Sequence, residues 1–427
     1  MSRKKSTLFI VASGLLGLWL MVVTPALAAT KEKVLYNFCK AQLCPDGSNP
    51  VSSLVFDAAG NLYGTAIYGG NSNCVHGCGT VFELGRMNGK WVYKVLHHFE
   101  NNGKDGYYPA GNLIFDAAGN LYGTTAQGGT SQAGTVFELM PAKGGKWKEK
   151  ILHSFEGGAS DGSEPLASVA FDANGSLYGT TFYGGAYGDG TLFRLAPSKN
   201  GNWTEKVLHN FDFNGQDGFS SRAGLVFDKS GNLYGTTVLG GTGGNGTVFE
   251  ETRGKNGSWT ESVLYSFTGG ADGSLAVAGL TIDKTGNLYG TALAGGAGGD
   301  GNVFTLAPGK NGGWTFTTIL GFDNEDGESP DGVLIFDTAG NLYGTTSGGG
   351  AYDSDCTYPG CGTVFKLTPG SGGTWTETVL HSFNSNGVDG YSPEAGLIMD
   401  ASGNLYGTTN AGGAYGYGTV FEVVFAD

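Results

Sequence analysis

The chain has 427 residues, with 24 basic and 38 acidic side chains and a formal net charge of −14. This balance argues against nucleic-acid binding, which needs Lys and Arg to replace phosphate counterions. The chain is 40% hydrophobic and contains 79 glycines. Because its apolar residues follow a strict pattern, we expect a folded protein rather than a disordered tail.

The first residues are typical of a secretory signal peptide. Arg3, Lys4 and Lys5 precede an apolar stretch, and Ala26-Leu27-Ala28 forms a small-x-small cleavage site. We predict a signal peptide over residues 1–28, cleaved after Ala28 or Ala29. The alternative is an uncleaved membrane anchor, which the short apolar run disfavours. We therefore expect no membrane span in the mature protein, which is secreted, periplasmic or on the cell surface.

Six cysteines stand in three close pairs, and an exported protein is expected to oxidise them. The pairs are Cys39/Cys44, Cys74/Cys78 and Cys356/Cys361. Because His76 lies inside the second pair, zinc is the alternative there, although that segment offers only three ligands. Disulfides across such short loops shape the loops more than they stabilise the fold.

One motif recurs seven times, every 54 to 63 residues. It is NLYGT[AT] or SLYGTT, and it starts at Asn61, Asn120, Ser176, Asn232, Asn287, Asn341 and Asn404. Around each copy we find four segments rich in β-branched and aromatic residues, named a to d. In the second unit they are LIFD at Leu113, NLYGTT at Asn120, GTVFEL at Gly134 and WKEKILHSF at Trp147.

The link from segment a to segment b is D-x-x-G-N or a close variant, such as Asp116 to Asn120. Asp can accept a backbone N–H two residues on, and Gly adopts positive φ easily, so we predict a tight turn. Turn chemistry explains the seven Asp without an acidic site. Gly inside segment b, such as Gly123, predicts close approach of a large ring.

Four antiparallel strands in each of seven units predict an all-β fold, a seven-bladed β-propeller. A solenoid is the main alternative, but it would want shorter repeats and polar caps. The mature chain opens with a segment d at Thr30 and ends with a segment c at Gly418. We therefore predict that Lys31 to Phe38 pairs with Gly418 to Phe425, so that the N-terminal strand completes the last blade and closes the ring.

Residues 30–427 are predicted to form this single domain. The predicted blades, in order, cover residues 51–99, 110–155, 166–211, 222–267, 276–322, 331–383, and 394–427 together with 30–38.

The unit LxFDxxGNLYGTTxxGG…GTVFEL…W…VLHSF…DG resembles the tandem repeats of GloVer (gloeo/verruco) proteins, an exported bacterial family. The resemblance covers essentially the whole mature chain. It implies residence at the surface or outside the cell and no established catalytic activity. This sequence carries no C-terminal sorting signal or anchor, which favours release or periplasmic residence.

The b-to-c and d-to-a loops should share one face of the ring, and variable loops on a rigid scaffold are a usual place for binding. Their aromatic side chains suit stacking on sugar rings. We therefore predict a monomeric, non-catalytic binding scaffold for an extracellular polysaccharide or envelope protein. The alternative is that these rings pack over loop backbones. The candidate ligand-binding residues are Tyr68, Tyr183, Tyr187, Tyr352, Tyr358, Tyr391, Tyr415 and Tyr417.

Two other functions stay open. Asp212, Asn214 and Asp217 place oxygens at the spacing of a calcium loop, although Asp-Gly turns alone give this pattern. Calcium is the one cofactor considered. A propeller hydrolase or lyase is the less favoured alternative. His97, His153, His209 and His381 recur at one position of segment d, where we also align Tyr36, Tyr265 and Gly321. A position that accepts Tyr and Gly indicates packing rather than general-base catalysis.

Overall fold

The computed structural model describes residues 30–352, 356 and 360–425. The predicted signal peptide lies outside these residues, and so does Tyr358. Within the described part, seven four-stranded antiparallel sheets form the blades of a β-propeller, as the repeat predicts. Each sheet has the order a-b-c-d from the channel to the rim.

The strand bounds repeat from blade to blade. Strands a are Val55–Phe56, Ile114–Phe115, Ala170–Phe171, Val226–Phe227, Thr281–Ile282, Ile335–Phe336 and Ile398–Met399. Strands b are Leu62–Ala66, Leu121–Thr125, Leu177–Thr181, Leu233–Thr237, Leu288–Ala292, Leu342–Thr346 and Leu405–Thr409. Strands c are Thr80–Met87, Thr135–Ala142, Thr191–Pro197, Thr247–Arg253, Asn302–Pro308, Thr363–Pro369 and Thr419–Phe425. Strands d are Lys90–His98, Lys146–Ser154, Trp203–Asn210, Trp259–Ser266, Trp314–Gly321, Trp375–Ser382 and, for blade 7, Thr30–Asn37.

The ring is closed by the N-terminal strand. Lys31 pairs with Val424 and Asn37 with Thr419, and the amide of Phe38 donates to the carbonyl of Gly418 at 3.1 Å. The predicted closure is therefore confirmed. Blade 7 is built from both ends of the described chain, so it cannot complete its sheet until its two parts meet.

The a-to-b turns use their Asp as predicted. In blade 1, Asp57 Oδ1 accepts the amides of Ala59 and Asn61 at 2.8 and 2.9 Å. Its Oδ2 accepts the Asn61 side-chain amide and the Tyr63 hydroxyl at 2.8 and 3.2 Å. Burial alone would raise the pKa of Asp57, but these donors together lower it. The turn carboxylates are saturated by their own hairpins and are not free to bind a ligand.

Strand b carries a glycine because the Phe side chain of strand c leaves no room for a Cβ there, as the sequence predicts. Gly64 lies opposite Phe82 of strand c. A Cβ added at Gly64 would lie 2.7 Å from Phe82 Cζ and 2.9 Å from Leu54 Cδ2. The backbone of Gly64 is not in the left-handed region, so the requirement is steric. The other six glycines at this position meet the corresponding Phe in the same way.

The apolar core lies between blades rather than within them. The cluster at the junction of blades 7 and 1 joins Tyr36 and Val420 to Leu54 and Phe82. At the rim, the Trp of strand d packs against the strand b Tyr of the preceding blade. Trp147 packs against Tyr63 in this way, with ring centroids 6.2 Å apart.

Blade 7 carries Thr30 where the other blades carry Trp, and a different residue covers the strand b Tyr of the preceding blade. Thr30 pairs with Phe425. Phe425 in turn contacts Tyr343 of blade 6, with ring centroids 6.4 Å apart. An aromatic ring from strand c therefore replaces the missing Trp at this junction.

The d-to-a and b-to-c loops lie on one face and pair with each other. Gly106–Tyr107 pairs with Gln127–Gly128, and Gly390–Tyr391 pairs with Ala411–Gly412. Two further pairs join Gly162–Ser163 to Tyr183–Gly184 and Gly218–Phe219 to Leu239–Gly240. We call this the loop face. The c-to-d turns lie on the opposite face, and two of them contain short 3₁₀ turns, at Lys143–Gly145 and Ser371–Gly373.

Deleting residues 30–38 should destabilise the whole ring, because blade 7 loses its outer strand and Thr419–Phe425 becomes an exposed edge. We expect a lower melting temperature and concentration-dependent association, measured by calorimetry and sedimentation. Lys33→Gln is the control, since it removes only the ion pair at 3.4 Å between the exposed Lys33 and the buried Glu422, which keeps the Tyr406 hydroxyl as a donor at 2.7 Å. An unchanged melting temperature and monomeric shape in the deletion variant would contradict closure by this strand.

Gly235→Ala should lower the free energy of unfolding by about 1–3 kcal/mol through overpacking. Its added methyl would lie 2.5 Å from Phe249 Cζ and 2.9 Å from Leu225 Cδ2. Gly313→Ala is the matched control, because a Cβ at Gly313 meets no atom within 4 Å. Urea denaturation compares the two variants. Equal stabilities would show that the strand b position tolerates a side chain.

Candidate functional site at the channel mouth

A cavity of about 650 Å³ occupies the central channel on the loop face. Two register positions of the repeat line it in every blade. The position six residues before the turn Asp lies nearer the mouth and comprises Val51, Ala110, Leu166, Arg222, Val277, Asp331 and Glu394. The position four residues before it lies deeper and comprises Ser53, Asn112, Ser168, Gly224, Gly279, Val333 and Gly396.

The mouth position breaks the sevenfold symmetry of the ring. Four blades place an aliphatic residue there, whereas blades 4, 6 and 7 place Arg222, Asp331 and Glu394. Each charged side chain follows a fixed backbone just before strand a, so the scaffold determines where it sits. The channel mouth thus has one cation and two carboxylates on an otherwise small and apolar ring.

The two carboxylates differ in their hydrogen bonding. Glu394 Oε1 accepts a bond from Asn410 Nδ2 at 2.6 Å, and Asn410 Oδ1 accepts one from Asn49 Nδ2 at 3.1 Å. Burial raises the pKa of Glu394, while Asn410, Arg222 and Ser392 act against that rise. Glu394 is therefore held in place by a relay of amides that crosses from blade 7 to the loop before blade 1.

Asp331 is the more strongly perturbed group. Burial in the channel, and then the nearby charge of Glu394, raise the pKa of Asp331 to about 7, with Ser347 and Arg222 partly opposing the rise. The side chain of Asp331 is only partly exposed to solvent and is surrounded by protein atoms. Near neutral pH it can therefore donate or accept a hydrogen bond, and perturbed carboxyls of this kind are typical of functional sites.

An aromatic and disulfide-braced wall borders the mouth at blade 1. Tyr68 lines the cavity, and its ring contacts those of His76 and Tyr108, with centroids 5.7 and 5.4 Å away. The Tyr108 hydroxyl donates to the carbonyl of Val75 at 2.7 Å. The Cys74–Cys78 disulfide closes the same loop. This arrangement gives the mouth one fixed aromatic side.

All three predicted disulfides are present: Cys39–Cys44, Cys74–Cys78 and Cys356–Cys361. The bonded sulfurs of Cys74 and Cys78 offer no thiolate for the zinc alternative in that loop. No helix among the described residues is long and apolar enough to cross a membrane. The disulfides are consistent with an extracellular location.

The structure disperses the predicted tyrosines around the loop face. Among the predicted tyrosines that the structure describes, Tyr68 alone lines the cavity. Tyr391 packs into the apolar cluster between blades 6 and 7. The remaining described members are between 45% and 61% exposed: Tyr183, Tyr187, Tyr352, Tyr415 and Tyr417. Their role in binding stays a prediction.

Sequence reasoning missed Arg222, Asp331 and Glu394. The available signal was a single position of the repeat, six residues before each turn Asp, where a charged residue replaces Val, Ala or Leu.

One alignment was also wrong. Leu320, not Gly321, holds the His position in blade 5, because Leu320 pairs with Val303 as His381 pairs with Val364.

The predicted calcium loop forms an Asx turn. Asn214 Oδ1 accepts the amides of Gln216 and Asp217, both at 2.9 Å. Asp217 Oδ2 lies 2.9 Å from His209 Nε2 and also accepts the amide of Asp212 at 3.2 Å. These oxygens already have partners within the loop. Calcium binding here remains a prediction.

Comparison with known proteins identifies the repeat. The family model of the Gloeobacter/Verrucomicrobia repeat matches residues 20–170 and 310–426, more than half of the chain. The chain belongs to this family. The repeat family is thus the GloVer family that the LYGT motif resembles. No curated protein matches this family member.

Solved structures resemble this repeat-family protein only distantly. An ancestral GH74 enzyme is 14% identical with a TM-score of 0.50, over 88% of this chain and 51% of that protein. A candidate 6-phosphogluconolactonase from Bacteroides uniformis ATCC 8492 is 12% identical, with a TM-score of 0.49 over 78% and 84% of the two chains. A protein of unknown function from Dyadobacter fermentans DSM 18053 is 10% identical, with a TM-score of 0.46 over 92% and 98%. At such identities the likeness to the GH74 enzyme concerns the fold alone.

Asp331→Asn should stabilise the protein at pH 8 and leave it unchanged at pH 4. The pKa of Asp331 is higher in the folded protein than the 3.8 of an unperturbed carboxyl, so folding favours its protonated form. Stability from this group is present below about pH 4 and is lost as the pH rises through about 7. We expect a gain of about 1–3 kcal/mol at pH 8 from denaturant titrations.

Asp337→Asn is the control of opposite sign. The side-chain and backbone donors of Asn341 outweigh burial and lower the pKa of Asp337. Its ionised form therefore stabilises the turn at pH 8, and the Asn variant should be less stable there. If both variants destabilised the protein at pH 8, Asp331 would be an ordinary structural carboxylate.

Proposed function

We propose that this protein is a non-catalytic binding scaffold outside the cytoplasm, and that its channel mouth binds the end of an extracellular glycan chain. The observation that carries the proposal is the asymmetric set of Arg222, Asp331 and Glu394 in a cavity of about 650 Å³. The fold does not require a charged residue at this position, since four blades have an aliphatic residue there.

The chemistry of the mouth suits a hydroxylated ligand. Asn112, Asn410 and Ser347 add neutral donors and acceptors to the three charged groups, and Tyr68 offers a ring face. Sugars are recognised by such combinations of directional hydrogen bonds and apolar stacking. The presence of both charge signs also suits an amino sugar or a uronic acid as the terminal residue.

The exposed tyrosines would act outside the cavity. Tyr415 and Tyr417 lie in the b-to-c loop of blade 7, the blade that supplies Glu394, and both are about half exposed. A glycan with its end at the mouth could continue across this rim. In this arrangement the mouth determines which terminal sugar binds, and the rim adds contact area along the chain.

Arg222→Gln and Asp331→Asn should each weaken glycan binding at least tenfold, which corresponds to about 1.4 kcal/mol. The ligand is first identified on a glycan array, and affinities are then measured by titration calorimetry. Lys229→Gln is the matched control, because it removes one positive charge from the a-to-b turn on the opposite face. We expect its affinity to equal that of the wild type.

The outcomes separate the alternatives. Equal affinities for all three variants would remove the mouth from the binding site and leave the exposed tyrosines as the candidates. Release of a reducing sugar during titration, lost in Asp331→Asn, would assign hydrolysis, for which Asp331 and Glu394 are the available carboxyls. An envelope protein captured instead of a glycan would change the ligand class.

A further inference from the structure

The outer strands of neighbouring blades meet in a second polar cluster, far from the channel. At the junction of blades 1 and 2, His97 and Asp105 come from blade 1 and the loop after it, and Glu149 comes from strand d of blade 2. The same three residue types meet as His209, Asp217 and Glu261, and as His381, Asp389 and Glu32. In each cluster one ligand atom from every residue lies within 4.8 Å of the others.

We propose that these three clusters bind divalent transition-metal ions of the zinc class, which cross-link adjacent blades. Each cluster offers one imidazole nitrogen and two carboxylate oxygens. Imidazole favours zinc and its neighbours over calcium, which requires six to eight oxygens.

The distances at the first junction suit such an ion. His97 Nε2 lies 3.2 Å from Asp105 Oδ2 and 3.5 Å from Glu149 Oε1. Two ligand atoms of a tetrahedral zinc site, each about 2.0–2.2 Å from the metal, lie about 3.3–3.6 Å apart. One nitrogen proton cannot satisfy two carboxylates at once, so the pair needs either a second proton or a cation between its oxygens.

Buried oxygens without partners provide an independent indication. Asp105, Asp217 and Asp389 are only 7%, 8% and 5% exposed, and Oδ1 of each has no hydrogen-bond partner. An unpaired buried carboxylate oxygen costs free energy. Because Oδ2 is the oxygen that faces the His, an ion bound by both oxygens of the carboxylate would remove that cost.

Two of the other four junctions show aromatic residues in place of the cluster. Where Tyr265 stands in the His position, Phe316 replaces the Glu, and their rings stack 4.1 Å apart. Where Tyr36 stands there, Tyr93 replaces the Glu at 3.9 Å.

The exchange is not strict, because Glu377 faces Leu320, which holds the His position, at the junction of blades 5 and 6. At the junction of blades 2 and 3 the residues are His153, Asp161 and Glu205, with His153 Nε2 3.1 Å from Asp161 Oδ2. Among the described residues these three do not meet as closely as the three clusters do.

The first cluster also opens to solvent. His97, Asp105 and Glu149 line an open cleft together with His98 and Glu100. A metal ion can therefore enter without unfolding of the junction, and water can complete its coordination. The cluster of Glu32, His381 and Asp389 lies on the closing strand, so a metal ion there would fasten blade 7 to blade 6.

The test is titration of the chelator-treated full mature chain with ZnCl₂, followed by calorimetry and by thermal melting. We expect three sites per chain, as the three clusters require, and a rise in melting temperature on zinc addition. The isosteric variants Glu149→Gln and Glu32→Gln should each remove one site. Melting in chelator verifies that both variants remain folded.

Asp272→Asn is the matched control, since Asp272 binds Tyr265 at a junction without His or Glu. It should retain all three sites. Absence of zinc binding at 100-fold molar excess would overturn the proposal. So would an unchanged stoichiometry in Glu149→Gln, or displacement of zinc by equimolar CaCl₂.

Discussion

The fold depends on apolar surface that no blade can bury alone. Strand a is two residues long, and strand b carries a glycine where the ring of its neighbour Phe must lie. A single blade therefore has a flat aromatic face and too few side chains of its own to bury it. That face is covered only by the next blade, as when Trp147 covers Tyr63. Until the last junction forms, blades 1 and 7 each leave one such face uncovered, which makes closure by the N-terminal strand central to the structure.

Polar contacts across the junctions fix the same geometry. The Thr124 hydroxyl donates to the carbonyl of Ala167 in the next blade at 2.9 Å, and Thr408 donates to Ser52 across the closing junction at 3.1 Å. The closing junction is thus chemically the same as an internal one. The fold therefore places the backbone of the mouth position, and contacts such as the bond from Asn410 to Glu394 orient the side chain.

Much of the fold could be predicted from the repeat itself. The turn Asp, the strand b glycine and the misplaced segment d at Thr30 each have one strong physical explanation, and the structure confirms all three. The candidate site could not be found in this way. Arg222, Asp331 and Glu394 lie 109 and 63 residues apart in sequence, and no local motif connects them. Alignment of the seven units places them in one column, but only the closed ring shows that this column faces one cavity.

The two polar regions depart from the repeat in different ways. At the rim, His with Glu and Tyr with an aromatic ring are interchangeable ways to fill one junction, so either choice is compatible with the fold. At the mouth, an aliphatic side chain fills the position in four blades, and burial raises the pKa of Asp331, so its charged form opposes folding. Burial also raises the pKa of the rim carboxyls Glu32, Glu149 and Glu261, so their charged forms oppose folding as well. What distinguishes the channel mouth is that its three charged groups line one cavity of about 650 Å³, which makes it the stronger candidate for the main function of the protein.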